Sequence, residues 1–451
     1  MERSRSLVPL AILLGAIAMM SDAFAPLANT HHVNLHQKDA SHIKVHMAKS
    51  KSATKRKNSS QSNVSSLKGF GAPSSAATAS SGVSIDRSKS ALAFYDYIAA
   101  NGGESNLKRV GLGEFPLPGT DLNIRGVVAL QDIRKGDPII EIPYEMALDF
   151  GRQSVDPTLP ATSFLQMYCQ WKSGQDIKAG VATLRSQYIG DYFAMLPAYQ
   201  SVDCLGSTDF FSDEALEMLQ SPLVKEETLL RRDLVKARYE RDIETMAAMS
   251  SNLYRWGEDG FATFSHLQWA TWLITSRVLT VQARESDTGA TVPHRLFIPL
   301  IDMCNHDRDS PHILSGRAEP GGMLKVMAGK DVQSGDAIDI SYGGGVEGND
   351  RFIQDYGFLD SGGSKERAGG TAVAEAYRLV AKKLLDLGKK TINSMGRLSI
   401  EDQKRSLEAL KATTISEDEA LLASDKVIKC DERAALVYRI GIKKAIQELT
   451  D

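Results

Sequence analysis

The sequence predicts an α+β body, with two β-rich parts separated by a helical insertion and followed by an all-α tail. Three observations carry this. Short runs rich in β-branched residues occur at 125–130 and 138–143, around the turn residues Lys135-Gly136, and recur at 296–301, 324–328 and 337–342. From about 155 to 280 the pattern becomes helical. From Thr371 the tail is helical again: Val373, Tyr377, Val380 and Leu384 share one face, and Ser416-x-x-Glu419 offers a capping box before Leu421.

Ahead of this body stands a leader. Residues 1–25 read as a signal peptide: Arg3 and Arg5 precede a 14-residue apolar run from Leu7 to Met20, short for a membrane span, and Ala23-Phe24-Ala25-Pro26 suits cleavage. Residues 26–90 read as a transit-like, disordered leader. Of the 41 residues from Ser50 to Ser90, 14 are serine and only Asp86 is acidic, which leaves too little apolar surface for a core. The two segments together resemble the bipartite presequences of algae whose plastids lie behind extra membranes. The expected location is the plastid stroma, with secretion as the alternative. The histidines at 31, 32, 36, 42 and 46 lie in this removable segment, which offers a metal no fixed geometry.

Charge divides at the same place. The 451 residues hold 53 Lys+Arg and 56 Asp+Glu; residues 1–90 carry a net +8 and residues 91–451 a net −11. An acidic body argues against a general nucleic-acid binder, whose folded face would be basic. A hydrophobic content of 42% suffices for one large core or two medium ones. Cys169, Cys204, Cys304 and Cys430 form no C-x-x-C pair, which excludes a disulfide scaffold and a Cys-rich zinc site.

Within the body, residues 92–100 suit a short amphipathic helix closed by Asn101-Gly102-Gly103. In the insertion, residues 223–256 carry dense alternating charge (Lys225, Glu226, Glu227, Arg231, Arg232, Asp233), the pattern of a solvated helix face. Residues 264–279 form another helix, with Trp269, Trp272, Leu273, Ser276 and Leu279 near helical spacing. Gly343-Gly344-Gly345-Val346-Glu347-Gly348 satisfies G-x-G-x-x-G and precedes a helix at 350–356. A dinucleotide fold would next need a buried strand ending in an acidic residue, which residues 360–370 cannot form. A glycine turn is the better reading.

The chemistry lies in an ordered set of segments. Singly, Asn305-His306 reads as a polar turn and Tyr342 as a strand aromatic. In order behind Gly126-Val127-Val128-Ala129, they closely resemble the SET-domain protein methyltransferases, specifically the Rubisco large-subunit lysine methyltransferase subfamily. The family's glycine turn and V-A strand match Gly126 to Ala129, its N-H motif matches Asn305-His306, and its I-S-Y-G matches Ile340-Ser341-Tyr342-Gly343. The following Y-G-F matches Tyr356-Gly357-Phe358. Tyr192-Phe193-Ala194-Met195-Leu196-Pro197 and Ser276-Arg277 agree in the insertion, as does Arg433-Ala434-Ala435-Leu436 in the tail. The resemblance runs from about 120 to 451. Arg125 stands where the family often has a second glycine, the Tyr342-to-Tyr356 spacing is one residue longer, and the tail is shorter.

The resemblance implies a SET domain over 91–360 with a knotted-loop active site, and a helical substrate-binding domain over 371–451. It implies S-adenosyl-L-methionine as cofactor, bound by Arg125, Gly126, Val127, Arg277, Asn305 and His306. Tyr342 becomes the catalytic residue, holding the transferring methyl and the amine, and Asp302 and Tyr356 line the lysine entrance. No metal is implied. A free lysine has a pKa near 10.4, so its deprotonation at neutral pH costs about 4.6 kcal/mol; a narrow apolar channel lowers that cost by disfavouring the ammonium. The expected partner is a protein substrate, a stromal enzyme subunit, with no nucleic acid and no membrane association of the mature form. The alternative is a non-catalytic SET-fold adaptor or scaffold in a plastid complex.

Overall fold

The computed structural model describes residues 83–451 apart from 117–122, 155, 176, 178–187, 200–205, 250–251, 285–288, 363–365, 368–369, 372, 387–391, 394–395, 398 and 425–427. The signal peptide, most of the leader and Cys204 lie outside the described residues. Residues 83–90, expected within the leader, belong to the body. There β1 (Ser84–Ile85) pairs antiparallel with β2 (Val110–Pro116), and the Ser88 hydroxyl accepts from Ala91 N at 3.2 Å to cap the helix Lys89–Ile98. Tyr95 fastens the segment, its hydroxyl donating to Asp86 O at 3.2 Å and accepting from Leu112 N at 2.9 Å.

Three small antiparallel sheets make the β-rich part. The first runs β1, β2, β3 (Asn123–Ala129), with β10 (Ala337–Ile338) on the far side of β3. The second joins β4 (Pro138–Pro143), β9 (Met323–Met327) and β8 (Ile313–Gly316). The third joins β5 (Leu148–Arg152), β7 (Thr291–Phe297) and β6 (Leu279–Arg284). Although consecutive in the chain, β3 and β4 belong to different sheets. Gly126, Val127, Val128 and Ala129 are all buried, so both faces of β3 are covered along this stretch. The strand expected over 337–342 stops at Ile338. Beyond it Ile340 bridges His306 in parallel, its N donating to Asn305 O at 2.9 Å.

The insertion packs the helices Thr158–Lys172 and Phe264–Arg277 through aromatic contacts, with Tyr168 and Trp269 ring centroids 4.9 Å apart. One expectation fails here. The helix Pro222–Arg238 buries part of its charge: Glu227 and Arg231 are 3% and 5% exposed. Arg231 pairs with Asp209 and, at 2.8 Å, with Asp355; Arg351 reaches Glu227 at 2.7 Å and Asp355 at 2.6 Å. Charges this deep persist because each has an opposite partner.

The tail comprises the helices Glu375–Leu385, Ile400–Ala409, Ile415–Leu422 and Cys430–Thr450. Its buried residues Tyr377, Val380, Leu384, Tyr438 and Ile442 share one apolar cluster with Phe211, Leu216, Leu219 and Val224 of the insertion. Gly441 permits the tightest crossing, since a Cβ there would lie 2.4 Å from the Tyr377 ring. The capping box sits two residues before the expected one. The Thr414 hydroxyl accepts from Glu417 N at 3.2 Å, and the Glu417 carboxylate accepts from Thr414 N at 2.7 Å. Among the described residues no helix is long and apolar enough to cross a membrane, and no group of three or more His, Cys, Asp or Glu could hold a metal ion.

Candidate active site

Arg277 ends the helix Phe264–Arg277, and the turn Ile301–Met303 brings Asp302 beneath it. Arg277 Nη1 donates to Asp302 O at 2.9 Å and stands 4.0 Å from Asp302 Oδ2, while its buried Nε has no hydrogen-bond partner. The Asp302 side chain is wholly buried and accepts from the Tyr192 hydroxyl at 2.8 Å; its Oδ1 is unpartnered. Burial pushes the Asp302 carboxyl up to about 6, against the opposing pull of Arg277, Tyr192 and Arg125. Asp302 therefore lines no open entrance in this structure; it supports Arg277 and Tyr192 from below. The turn starts from Leu300, buried at φ 72 and ψ −43, a positive-φ conformation that costs a leucine about 1–3 kcal/mol.

On the facing strand, Gly126 lies against Asn305. A Cβ at Gly126 would sit 2.4 Å from Asn305 Nδ2, and that amide donates to Arg125 O at 3.2 Å. Glycine is thus what lets the Asn305 side chain reach β3. Arg125 Nη2 donates to Met195 O, and burial followed by the neighbouring Arg277 cation lowers its pKa. Two guanidiniums flanking one carboxylate leave a net positive site suited to an anion. Val127 is only 1% exposed and packed in the core, so its side chain is closed to the site.

His306 and Tyr342 form the other half. His306 Nδ1 accepts from Tyr342 N at 3.0 Å, and its Nε2 faces Asp360 Oδ2 at 3.5 Å. Burial raises the Asp360 carboxyl, but the facing His306 ring and the hydrogen bonds from Gly362 N and Arg308 prevail and hold it at about 2. The His306 side chain thus fixes the Tyr342 backbone. The Tyr342 hydroxyl donates to Cys304 O at 2.7 Å. Its ring stands 5.0 Å from Tyr356 and 5.1 Å from His306, with Phe358 at 6.4 Å. Burial raises both phenols well above their ordinary value, so neither acts as a base near neutral pH.

The structure therefore gathers the sequence-predicted residues into two adjoining clusters, joined where Tyr342 meets Cys304 two residues from Asp302. Sequence reasoning missed the roles of Tyr192, Leu300 and Asp360. Tyr192 lay inside a matched motif, which was its only signal; Asp360 lies 54 residues beyond His306 with none.

The sequence and the fold have known counterparts. Residues 124–343 match the family model for the SET domain, a span that opens one residue before Arg125 and closes one after Tyr342. The matched span makes up just under half of the chain. The fold is similar to that of Rubisco LSMT. The SET domain of LSMT bound to lysine and AdoHcy is 16% identical, with 80% of this chain and 89% of that chain covered and a TM-score of 0.50. Rubisco LSMT bound to AdoMet is likewise 16% identical, with coverage of 80% and 91% and a TM-score of 0.50. No curated protein matches the chain.

Proposed function

We propose that this chain is a protein-lysine N-methyltransferase that uses S-adenosyl-L-methionine and acts on a stromal protein of the plastid. The observation that carries the reading is the Tyr342 hydroxyl, held on Cys304 O at 2.7 Å at the junction of a cationic pocket and an aromatic cage. Similar structures hold AdoMet in one case and lysine with AdoHcy in another, and we carry both ligands to this chain.

The residues fit the cofactor. The orphaned Nε of Arg277 is available to its carboxylate, where a guanidinium makes paired hydrogen bonds. The cradle at Gly126, which a Cβ would fill, receives the adenosyl part with Asn305 and the Val127 backbone. When bound, S-adenosyl-L-methionine supplies a methyl group on a positive sulfonium. The protein's work is then positional. The rings of Tyr342, Tyr356 and Phe358 strip water from the lysine amine, which disfavours its charged form. The Tyr342 hydroxyl oxygen and the nearby carbonyls would orient the methyl through weak C–H···O contacts and the amine through N–H···O hydrogen bonds. His306, anchored by Asp360, keeps the Tyr342 backbone in place.

The stromal destination rests on residues 1–82, with an apolar run before a basic, serine-rich tract. The test is incubation of the purified chain with methyl-labelled cofactor and a plastid extract, followed by mapping of the modified residue. Label on a lysine of a stromal protein supports the reading. Cofactor binding without any transfer leaves the adaptor alternative in its place.

A further inference from the structure

We propose that Glu347 is a docking carboxylate for the ammonium of the incoming lysine, set at the rim of the Tyr342–Tyr356 cage. The inference rests on the methyltransferase reading and adds to it a specificity residue within the glycine-rich stretch 343–348.

That stretch is a turn with a purpose. Gly343 and Gly344 take φ 59 and 64, left-handed values that glycine adopts without strain. The chain then folds back so that Glu347 Cγ lies 2.2 Å from where a Cβ on Gly343 would be. Any side chain at 343 would evict Glu347 from its place beside Tyr342. The Glu347 backbone is anchored as well, its carbonyl accepting from Arg308 Nη2 at 2.6 Å while Arg308 Nε binds Asp360 Oδ2 at 2.7 Å. Asp360 also faces His306, so one small network fixes Glu347 and Tyr342 together.

The carboxylate itself is uncommitted: among the described residues no hydrogen bond or ion pair engages it. Its charge reaches the Tyr356 phenol, which places it within electrostatic range of the cage. Arg351 and Lys383 pull its pKa down and Asp350 and Asp355 push it up, yet burial is the largest influence and the net shift is upward. The adjoining Val346 is 58% exposed, so the turn stands at the surface.

Location decides what such a group can do. Directly beside the reacting nitrogen, a carboxylate would hold the amine protonated and oppose transfer. At the rim it selects a cationic side chain from solvent, before the aromatic rings desolvate the amine. No bond changes in this step. A rim charge of this kind acts through affinity and its salt dependence.

The test measures binding of L-lysine and of norleucine, which lacks the ε-ammonium, to the AdoHcy-loaded full chain by calorimetry at low and physiological salt. Glu347→Gln should weaken lysine binding about fivefold, the scale of a partly exposed ion pair, and flatten its salt dependence. Norleucine and AdoHcy binding should not move, which also certifies the fold. Unchanged lysine affinity in Glu347→Gln, or a wild type that does not prefer lysine to norleucine, overturns the inference and leaves the methyltransferase reading intact. A wild type that binds no AdoHcy overturns that reading, and the inference with it.

Discussion

Tyr342→Phe removes one oxygen and leaves every ring of the cage in place. That oxygen donates to Cys304 O at 2.7 Å, the usual length of a good hydroxyl hydrogen bond. Its loss costs about 1 kcal/mol of stability, which for a body of this size lowers Tm by about 1–2 °C. The effect on chemistry is larger. If the hydroxyl oxygen stabilises the transition state as one well-placed polar contact does, by about 2.7–4 kcal/mol, its removal slows methyl transfer about 10²–10³-fold. Cofactor affinity should change by far less, because the orphaned Arg277 Nε and the Gly126 cradle do not involve this oxygen. The assay is single-turnover transfer of labelled methyl to the mapped substrate at saturating cofactor, beside calorimetric cofactor binding. A rate within twofold of wild type would refute the assignment of Tyr342.

Gly126→Ala places a Cβ 2.4 Å from Asn305 Nδ2, so the amide must leave Arg125 O. Overpacking plus one lost hydrogen bond amounts to about 2 kcal/mol, and calorimetry should show cofactor affinity falling at least about tenfold. Asp302 has a folded pKa of about 6 against an ordinary 3.8, so the folded state binds its proton more tightly than the unfolded state. Its contribution to stability is then fully present below about pH 4 and lost as pH rises through about 6. Asp302→Asn should remove that slope from melting temperatures measured across this window; an identical pH profile in both proteins would contradict the burial argument. Residues 1–82 fused to a fluorescent reporter should reach the plastid of an alga with extra plastid membranes, and Phe24→Ala should impair delivery. Reporter found in the medium would contradict the leader reading.

Local patterns were readable where a few adjacent residues decide the outcome. The helix face of Tyr377, Val380 and Leu384 and the strands around Val127 and Ile140 follow directly from spacing. The site was readable through its ordered motifs, which named Asn305, His306 and Tyr342 without their contacts. Properties set by distant partners were hidden. Helix 222–238 reads as solvated because Asp209, Asp355 and Arg351, which bury its Glu227 and Arg231, lie far away in sequence. Two overlapping capping boxes fit the sequence equally well around Thr414 and Ser416. In the folded tail Lys443 binds both the carbonyl and the hydroxyl of Thr413, fixing the backbone just before Thr414. Asp302 reads as an entrance residue until Tyr192, 110 positions earlier, is found closing over it.

The central claim is that Arg277 and Tyr342 mark the two ends of one reaction site. The most direct measurement is a crystal structure of the chain with AdoHcy and free lysine. The AdoHcy carboxylate should pair with the Arg277 guanidinium, and the lysine Nζ should lie within about 3 Å of the Tyr342 hydroxyl, between the rings of Tyr342 and Tyr356. AdoHcy bound away from Arg277, or lysine density away from this cage, would contradict it.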